Sequence, residues 1–231
     1  MVRRPVHSDF APDVFVFPGG KVEAADRDPD LRPYVTIGDK NRECYEGENC
    51  FPLKVAAVRE LFEEAGVLLA RGVNGRLVEL AGQEEARFGE YRQGLLAGDL
   101  TMLDLARAEV VRFAADLLHI FAHWITPVDF PRRYDTRFFV ADLPSGQQPL
   151  HDGQETTDSI WISPHEALQR YRQGEFPLVF ATEKNLERMS RYTSAHEMIA
   201  ATSPADREPI MPRMIREGSD TRFLIPGDEG Y

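Results

Sequence analysis

The sequence predicts an α+β fold, and three stretches carry that expectation. Residues 56–67 have helical periodicity, with Val58, Leu61, Phe62 and Ala65 on one face at i, i+3, i+4, i+7 spacing. The run Val14–Phe17 is strand-like and ends in the tight turn Pro18-Gly19-Gly20. Residues 122–127 and 131–141 alternate and are rich in aromatics, as two strands joined by a basic loop would be.

A chain of 231 residues can bury a sizeable core as one large domain. Its 42% hydrophobic and 28% charged residues are ordinary for a globular protein. The net charge of −11 argues against a nucleic-acid binder or a membrane-surface protein. An anionic substrate would have to be attracted locally, by a metal and a few arginines. No apolar run reaches the length of a membrane span, and no signal-peptide core is visible at the N-terminus. Two cysteines do not make a disulfide framework, so a cytoplasmic location is the default expectation.

In chain order, Met1–Pro5 reads as the end of a strand running into a loop. The first strand of the fold is therefore expected upstream, and an unpaired sheet edge there favours a homodimer. Residues 24–52 are acidic, punctuated by Pro and Gly, and lack periodicity; they read as a surface excursion walling one side of a site. Within it, Cys44 and Cys50 are a weak signal for either a metal or a disulfide. The helix of residues 56–65 is stopped by Gly66, and Val67-Leu68-Leu69 begins a buried strand. A hairpin follows at Asn74-Gly75. Residues 83–119 read as helical, broken at Gly94 and at Gly98-Asp99, with core packing as the expected role. Ser163-Pro164-His165-Glu166 is a capping box that opens a helix after a strand bearing Trp161. Residues 180–202 have a helical pattern with Thr182 as a cap, and Thr221–Ile225 reads as a last strand.

The chemistry concentrates on the first helix. Opposite its apolar face lie Glu60, Glu63 and Glu64, which repel one another by a few tenths of a kcal/mol per pair (about 0.2–0.5). Such a face is either solvated or a seat for a hard divalent cation, which takes several oxygens at short range. The turn and the helix together resemble the two halves of the Nudix box, Gly-x5-Glu-x7-Arg-Glu-U-x-Glu-Glu-x-Gly-U with U aliphatic. Arg59, Glu60, Leu61, Glu63, Glu64, Gly66 and Val67 fill its second half. The box is interrupted: Gly20 precedes Arg59 by 39 positions, so about 25 residues are inserted. Its first acid falls on Asp26 counted forward from Gly20, and on Phe51 counted back from Arg59.

The resemblance implies a Nudix fold, a mixed β-sheet sandwiched between helices, with residues 83–119 as an added helical block. It also implies metal-assisted hydrolysis of a diphosphate with Mg2+ or Mn2+ as cofactor. Glu60, Glu63 and Glu64 would be the metal ligands, and Glu63 or Glu155 the base. Arg59 would orient a helix carboxylate, while Gly19, Gly20 and Gly66 shape the turns. Lys21, Arg132, Arg133 and Arg137 are the candidates for the phosphates of a small nucleotide diphosphate substrate. The interrupted box, His123-Trp124-Ile125-Thr126-Pro127 and the segment 132–139 look like one branch of the family, which contains a peroxisomal coenzyme A diphosphatase. That branch cleaves coenzyme A and its acyl derivatives. A second coenzyme A–cleaving group carries Leu-Leu-Thr-x-Arg and a further Arg before the turn; here Ser8 to Val16 contain no Arg.

Overall fold

The computed structural model describes residues 1–7, 11–39, 44, 45, 47–149, 158–217 and 220–231. The chain opens in a short strand, β1 (Val2–Arg3), which pairs antiparallel with β2 (Phe15–Val16), Val2 opposite Val16. Two 3-10 turns follow, Ala25–Arg27 and Pro29–Tyr34. They carry Leu31 and Val35 into the main core, so the insert is more than a surface excursion. A Cys44–Cys50 disulfide then leads into α1 (Phe51–Ala65).

Helix α1 starts with Pro52 in its first turn, where a missing N–H costs nothing. It ends at Gly66, whose φ of 68° is left-handed; Gly66 N–H donates to Phe62 O, and Val67 N–H reaches back to Leu61 O. Val55, Val58 and Phe62 are essentially inaccessible. The opposite face is covered as well: Glu60, Glu63 and Glu64 are 8%, 8% and 7% exposed, which rules out the solvated-face reading.

The next strand is β3 (Ala70–Arg71). Val67 to Leu69 are buried but precede the strand, and Leu68 is served by a side chain. Gln147 accepts from Leu68 N–H and donates to Leu68 O and Val78 O. The Asn74-Gly75 turn forms as expected, Asn74 Oδ1 accepting from Arg76 N–H. The helical block is shorter than its apolar content suggests. It consists of α2 (Gln83–Leu96) and α3 (Met102–Glu109), after which β4 (Arg112–Phe113) pairs with β3. Gly94 sits inside α2, where a Cβ would meet Leu100 Cγ at 2.9 Å; the break falls at Gly98, φ +73°. A capping box from Thr101 and Asp104 starts α3, and Val110 in the left-handed region ends it.

β5 (His119–Ile125) and β6 (Asp135–Val140) are the two aromatic strands, antiparallel with a register shift at Ile120/Ala122. β7 (Asp158–Ser159) closes the other side of β1, Ser159 opposite Val2. It stops short of Trp161, whose side chain is exposed. α4 (Pro164–Arg172) is capped by Ser163, which accepts from Glu166 N–H. The helical pattern of residues 180–202 forms two helices, α5 (Phe180–Met189) and α6 (Ala195–Ala200). Val179 is the N-cap position of α5, Thr182 is buried inside that helix, and Ser194 caps α6. β8 (Pro209–Ile210) runs parallel to β5, and β9 (Arg213–Glu217) pairs with β10 (Asp220–Leu224).

These strands make four small sheets, parallel only at β5–β8 among their ladders. The largest core lies among α1, α2, α3, β3 and β4. A second packs Phe15 of β2 on Phe176 after α4, their rings stacked at 3.8 Å. The third joins β5 and β6 to α5, α6 and the C-terminal strands. One sheet, β6-β5-β8, is mixed, and helices and sheets together make the α+β fold that the sequence predicts.

Candidate functional site

Arg59 is the hub of the interrupted box. Its Nε and Nη2 donate to the two oxygens of Asp26 at 3.0 Å each, Nη1 donates to Glu63 Oε2 at 2.7 Å, and Nη2 also donates to Lys21 O. Glu60 Oε1 lies 2.9 Å from the same Nη1. Burial alone would lower the Arg59 pKa; the Asp26 hydrogen bonds and the charges of Glu60, Asp26 and Glu63 outweigh it and raise the guanidinium further. The arginine therefore stays charged at any working pH and organises three carboxylates. Asp26 is 1% exposed and also accepts from Glu23 N–H, so the forward count from Gly20 locates the first acid. Phe51, the backward alternative, is a core residue at the start of α1.

The glycine turn is pressed on the acidic helix. Gly19 N–H donates to Glu64 Oε2 at 2.8 Å. A Cβ on Gly20 would stand 2.6 Å from Glu60 Cδ and closer still to Oε1. Gly19, with φ +153°, and the Cβ-less Gly20 thus seat Glu60 and Glu64 against backbone. Both carboxylates line a cavity of about 1860 Å³, together with Gly19, Gly20, Lys21 and Glu23. Glu63 turns to Arg59, and its backbone carbonyl accepts from Arg92 Nε of α2.

The basic candidates separate. Lys21 and Arg132 are exposed and line the cavity. Arg133 folds back, Nε donating to Thr126 O at 2.9 Å. Arg137 borders the cavity, but its side chain is 7% exposed and its guanidinium pairs with Glu48 at 2.6 Å and Asp135 at 2.7 Å. Burial would raise the Asp135 carboxyl; hydrogen bonds from His123 and Arg137 outweigh it and hold the carboxyl below its usual range. Arg137 thereby ties the insert to β6. Glu155 lies outside the described residues.

Two hard carboxylate donors on a cavity wall, held in place by a turn and an arginine, suit a divalent cation. Mg2+ is ordinarily held by one or two carboxylates plus substrate phosphates and water, not by an all-protein cage. Among the described residues no three Asp, Glu, His or Cys side chains converge to hold a metal; Glu60 and Glu64 are the two helix carboxylates on the cavity wall. The donor set fits such an ion as a shared ligand of protein and phosphate.

Three contributors had little sequence signal. Gln147, in a Pro/Gly-flanked loop, carries no periodicity that would place it against Leu68. Arg92 reads as one charge among many on a polar helix. Cys44 and Cys50 pair where the insert packs on β5 and β6, in a cluster with Ile120, Leu53 and Phe139.

Comparison with known proteins places these features. The family model of the NUDT19 Nudix domain matches residues 48–189. Acyl-coenzyme A diphosphatase NUDT19 of Gallus gallus is 28% identical, over all of this chain and 71% of its own length. The protein of the same name in Xenopus laevis is 24% identical over all of this chain and 70% of its own. The putative nudix hydrolase 7 of Caenorhabditis elegans is 27% identical, with 68% of its length covered. Among solved structures, a NUDIX hydrolase from Alicyclobacillus acidocaldarius superposes with a TM-score of 0.69 at 28% identity, over 87% of each chain.

Proposed function

The chain belongs to the NUDT19 Nudix domain family and is a Nudix-type diphosphatase, and from that premise we propose that it hydrolyses the diphosphate linkage of coenzyme A or acyl-coenzyme A. One observation carries the chemistry: Glu60 and Glu64 stand on the cavity wall, braced by Gly19, Gly20 and Arg59. Lys21 and Arg132 stand exposed on the same cavity and supply positive charge for phosphate oxygens in an otherwise acidic molecule.

In this reading Glu60 and Glu64 would hold Mg2+ or Mn2+, which when bound would supply charge neutralisation at the phosphates and lower the pKa of water there. The residues of the chain do the rest. Arg59 orients Glu60 and Glu63, and Asp26 locks Arg59. Gly19 N–H fixes Glu64, while Lys21 and Arg132 align the diphosphate. The box resemblance nominates Glu63 or Glu155 as the carboxylate that takes the proton of the attacking water; of the two, Glu63 is held by Arg59 and does not line the cavity.

The test is product identification with purified protein and Mg2+ or Mn2+ on coenzyme A, acetyl-coenzyme A, ADP-ribose and NADH. Adenosine 3′,5′-bisphosphate from the coenzyme A substrates supports the reading. Nucleoside monophosphate from ADP-ribose or NADH, with the coenzyme A substrates untouched, overturns the substrate assignment. Glu63→Gln and Glu155→Gln then separate the two bases: the true base loses on the order of 10²–10⁴-fold in kcat, and equal, small losses would reject both.

A further inference from the structure

One part of the cavity lining has a different chemistry. From Val179 onward every described lining residue is uncharged, and most are apolar: Phe180, Ala181, Met189, Met198 and Phe223 among them. Trp124 of β5 lies edge-on to Phe180 at 6.1 Å between ring centroids, and Phe180 is 5.2 Å from Phe223. Met198 and Phe223 belong to α6 and β10, beyond residue 189, where the family match stops. This chamber is therefore completed by a C-terminal segment outside the matched domain, and it is continuous with the cavity holding Glu60 and Glu64.

One polar group in its wall lacks a partner. Asn185 is 2% exposed and lines the cavity. Its Oδ1 accepts from Trp124 Nε1 at 3.0 Å. An indole N–H only donates, so this bond settles which way the amide faces. Asn185 Nδ2 is then left buried with no hydrogen-bond partner among the described residues. A buried donor without an acceptor is costly, and in the wall of a cavity it marks a place for an acceptor on a ligand.

We propose that this chamber binds an apolar chain carrying a carbonyl, the acyl-thioester arm of the substrate, with Asn185 Nδ2 donating to that carbonyl and with Ala181, Met198 and Phe223 setting the chain length accepted. The proposal rests on the coenzyme A reading above for the identity of the arm, and it assigns the C-terminal segment as the determinant of acyl specificity. The residues from Val179 onward offer the chain rings and thioethers and bring no charge of their own, and the Asn185 donor distinguishes a thioester from a plain hydrocarbon. Asn185 here is a binding residue for the arm and takes no part in the hydrolysis.

The experiment separates arm binding from diphosphate chemistry. The 231-residue chain has two tryptophans, and Trp161→Phe leaves Trp124 as its sole reporter. Dodecanoyl-pantetheine, which has no diphosphate, is titrated against Trp124 emission, beside pantetheine and dodecyl-pantetheine thioether. Saturable binding of the thioester, at least tenfold tighter than pantetheine, supports the chamber; absence of a saturable change overturns it even if coenzyme A is hydrolysed. Binding with no hydrolysis of any coenzyme A substrate overturns the diphosphatase reading and leaves the chamber standing. Equal affinity for thioester and thioether overturns the role of Asn185. Asn185→Asp, which keeps the acceptor for Trp124, is expected to abolish that thioester preference. Ala181→Phe should move the preferred chain to a shorter length and Phe223→Ala to a longer one. A general loss of folding cannot produce opposite shifts, and an unchanged optimum in both folded variants overturns the assignment of the wall.

Discussion

Gly20 shows how much of the site hangs on one missing atom. A methyl group there would displace the Glu60 carboxylate, whose Cδ it would approach to 2.6 Å, while leaving the glycine turn otherwise exposed. Gly20→Ala is therefore expected to fold with nearly unchanged stability and to lose about 10²-fold in kcat, because displacements of about 1 Å cost that much at a reacting centre. Steady-state kinetics beside a urea melt check both halves. Arg59 has the opposite character. It is engaged by Asp26, Glu60 and Glu63 at once, so the four charges stand as a unit. Their types and their order were legible in the sequence, since arginine and the glutamates occupy box positions. The partner Asp26 was not, because two ways of counting through the insert gave different residues. Packing chose between them: Asp26 reaches Arg59 only because the 3-10 turn at Ala25–Arg27 folds against α1.

At the scale of elements, α1 is held to the rest of the fold by a buried lysine. Lys54 is inaccessible, and its Nζ donates to Ala115 O at 2.8 Å and Leu118 O at 2.6 Å. Burial lowers its pKa to about 8, opposed by Asp116 and reinforced by Arg207. Below about pH 8 both folded and unfolded chains carry the proton. Between about 8 and the ordinary value of 10.5 the unfolded chain binds it and the folded chain does not, so stability rises with pH across that window. The contribution is on the order of a few kcal/mol. Denaturant midpoints at pH 7.5, 9 and 10.5 should climb relative to those of Lys54→Met, which is less stable throughout and lacks this rise. The insert is pinned at its end by the Cys44–Cys50 bond. Closing so short a loop is worth about 2 kcal/mol in the chain-entropy account, so the double variant Cys44→Ala/Cys50→Ala should lose roughly that much in a urea melt. It should also loosen Glu48 from Arg137, read as faster amide exchange in residues 47–50.

For the molecule as a whole, the net charge of −11 opposes an anionic substrate at a distance, while Lys21 and Arg132 act only near the cavity. At constant free Mg2+, raising ionic strength from about 0.01 to 0.15 M shortens the Debye length from about 30 to 8 Å, so kcat/KM should rise severalfold. A fall would mean that local positive charge governs the encounter.

The sequence by itself determined the α+β class, the acidic helix with its Gly66 stop, the Pro-Gly-Gly turn and the β5–β6 pair. Each rests on local physics: periodicity, a left-handed cap, alternation over several residues. The tertiary structure decided what depends on distant partners. It brought Asp26 to Arg59, split residues 180–202 into two helices, and turned residues 112–113 into a strand opposite Ala70. It also added β9, which Arg213–Glu217 forms only because β10 offers a ladder. Glu60 and Glu64 reached the cavity wall while Glu63 went to Arg59, although all three look alike along the helix. Sequence spacing places side chains on a face; which of them meets solvent, substrate or a counter-ion is settled by the elements that pack there.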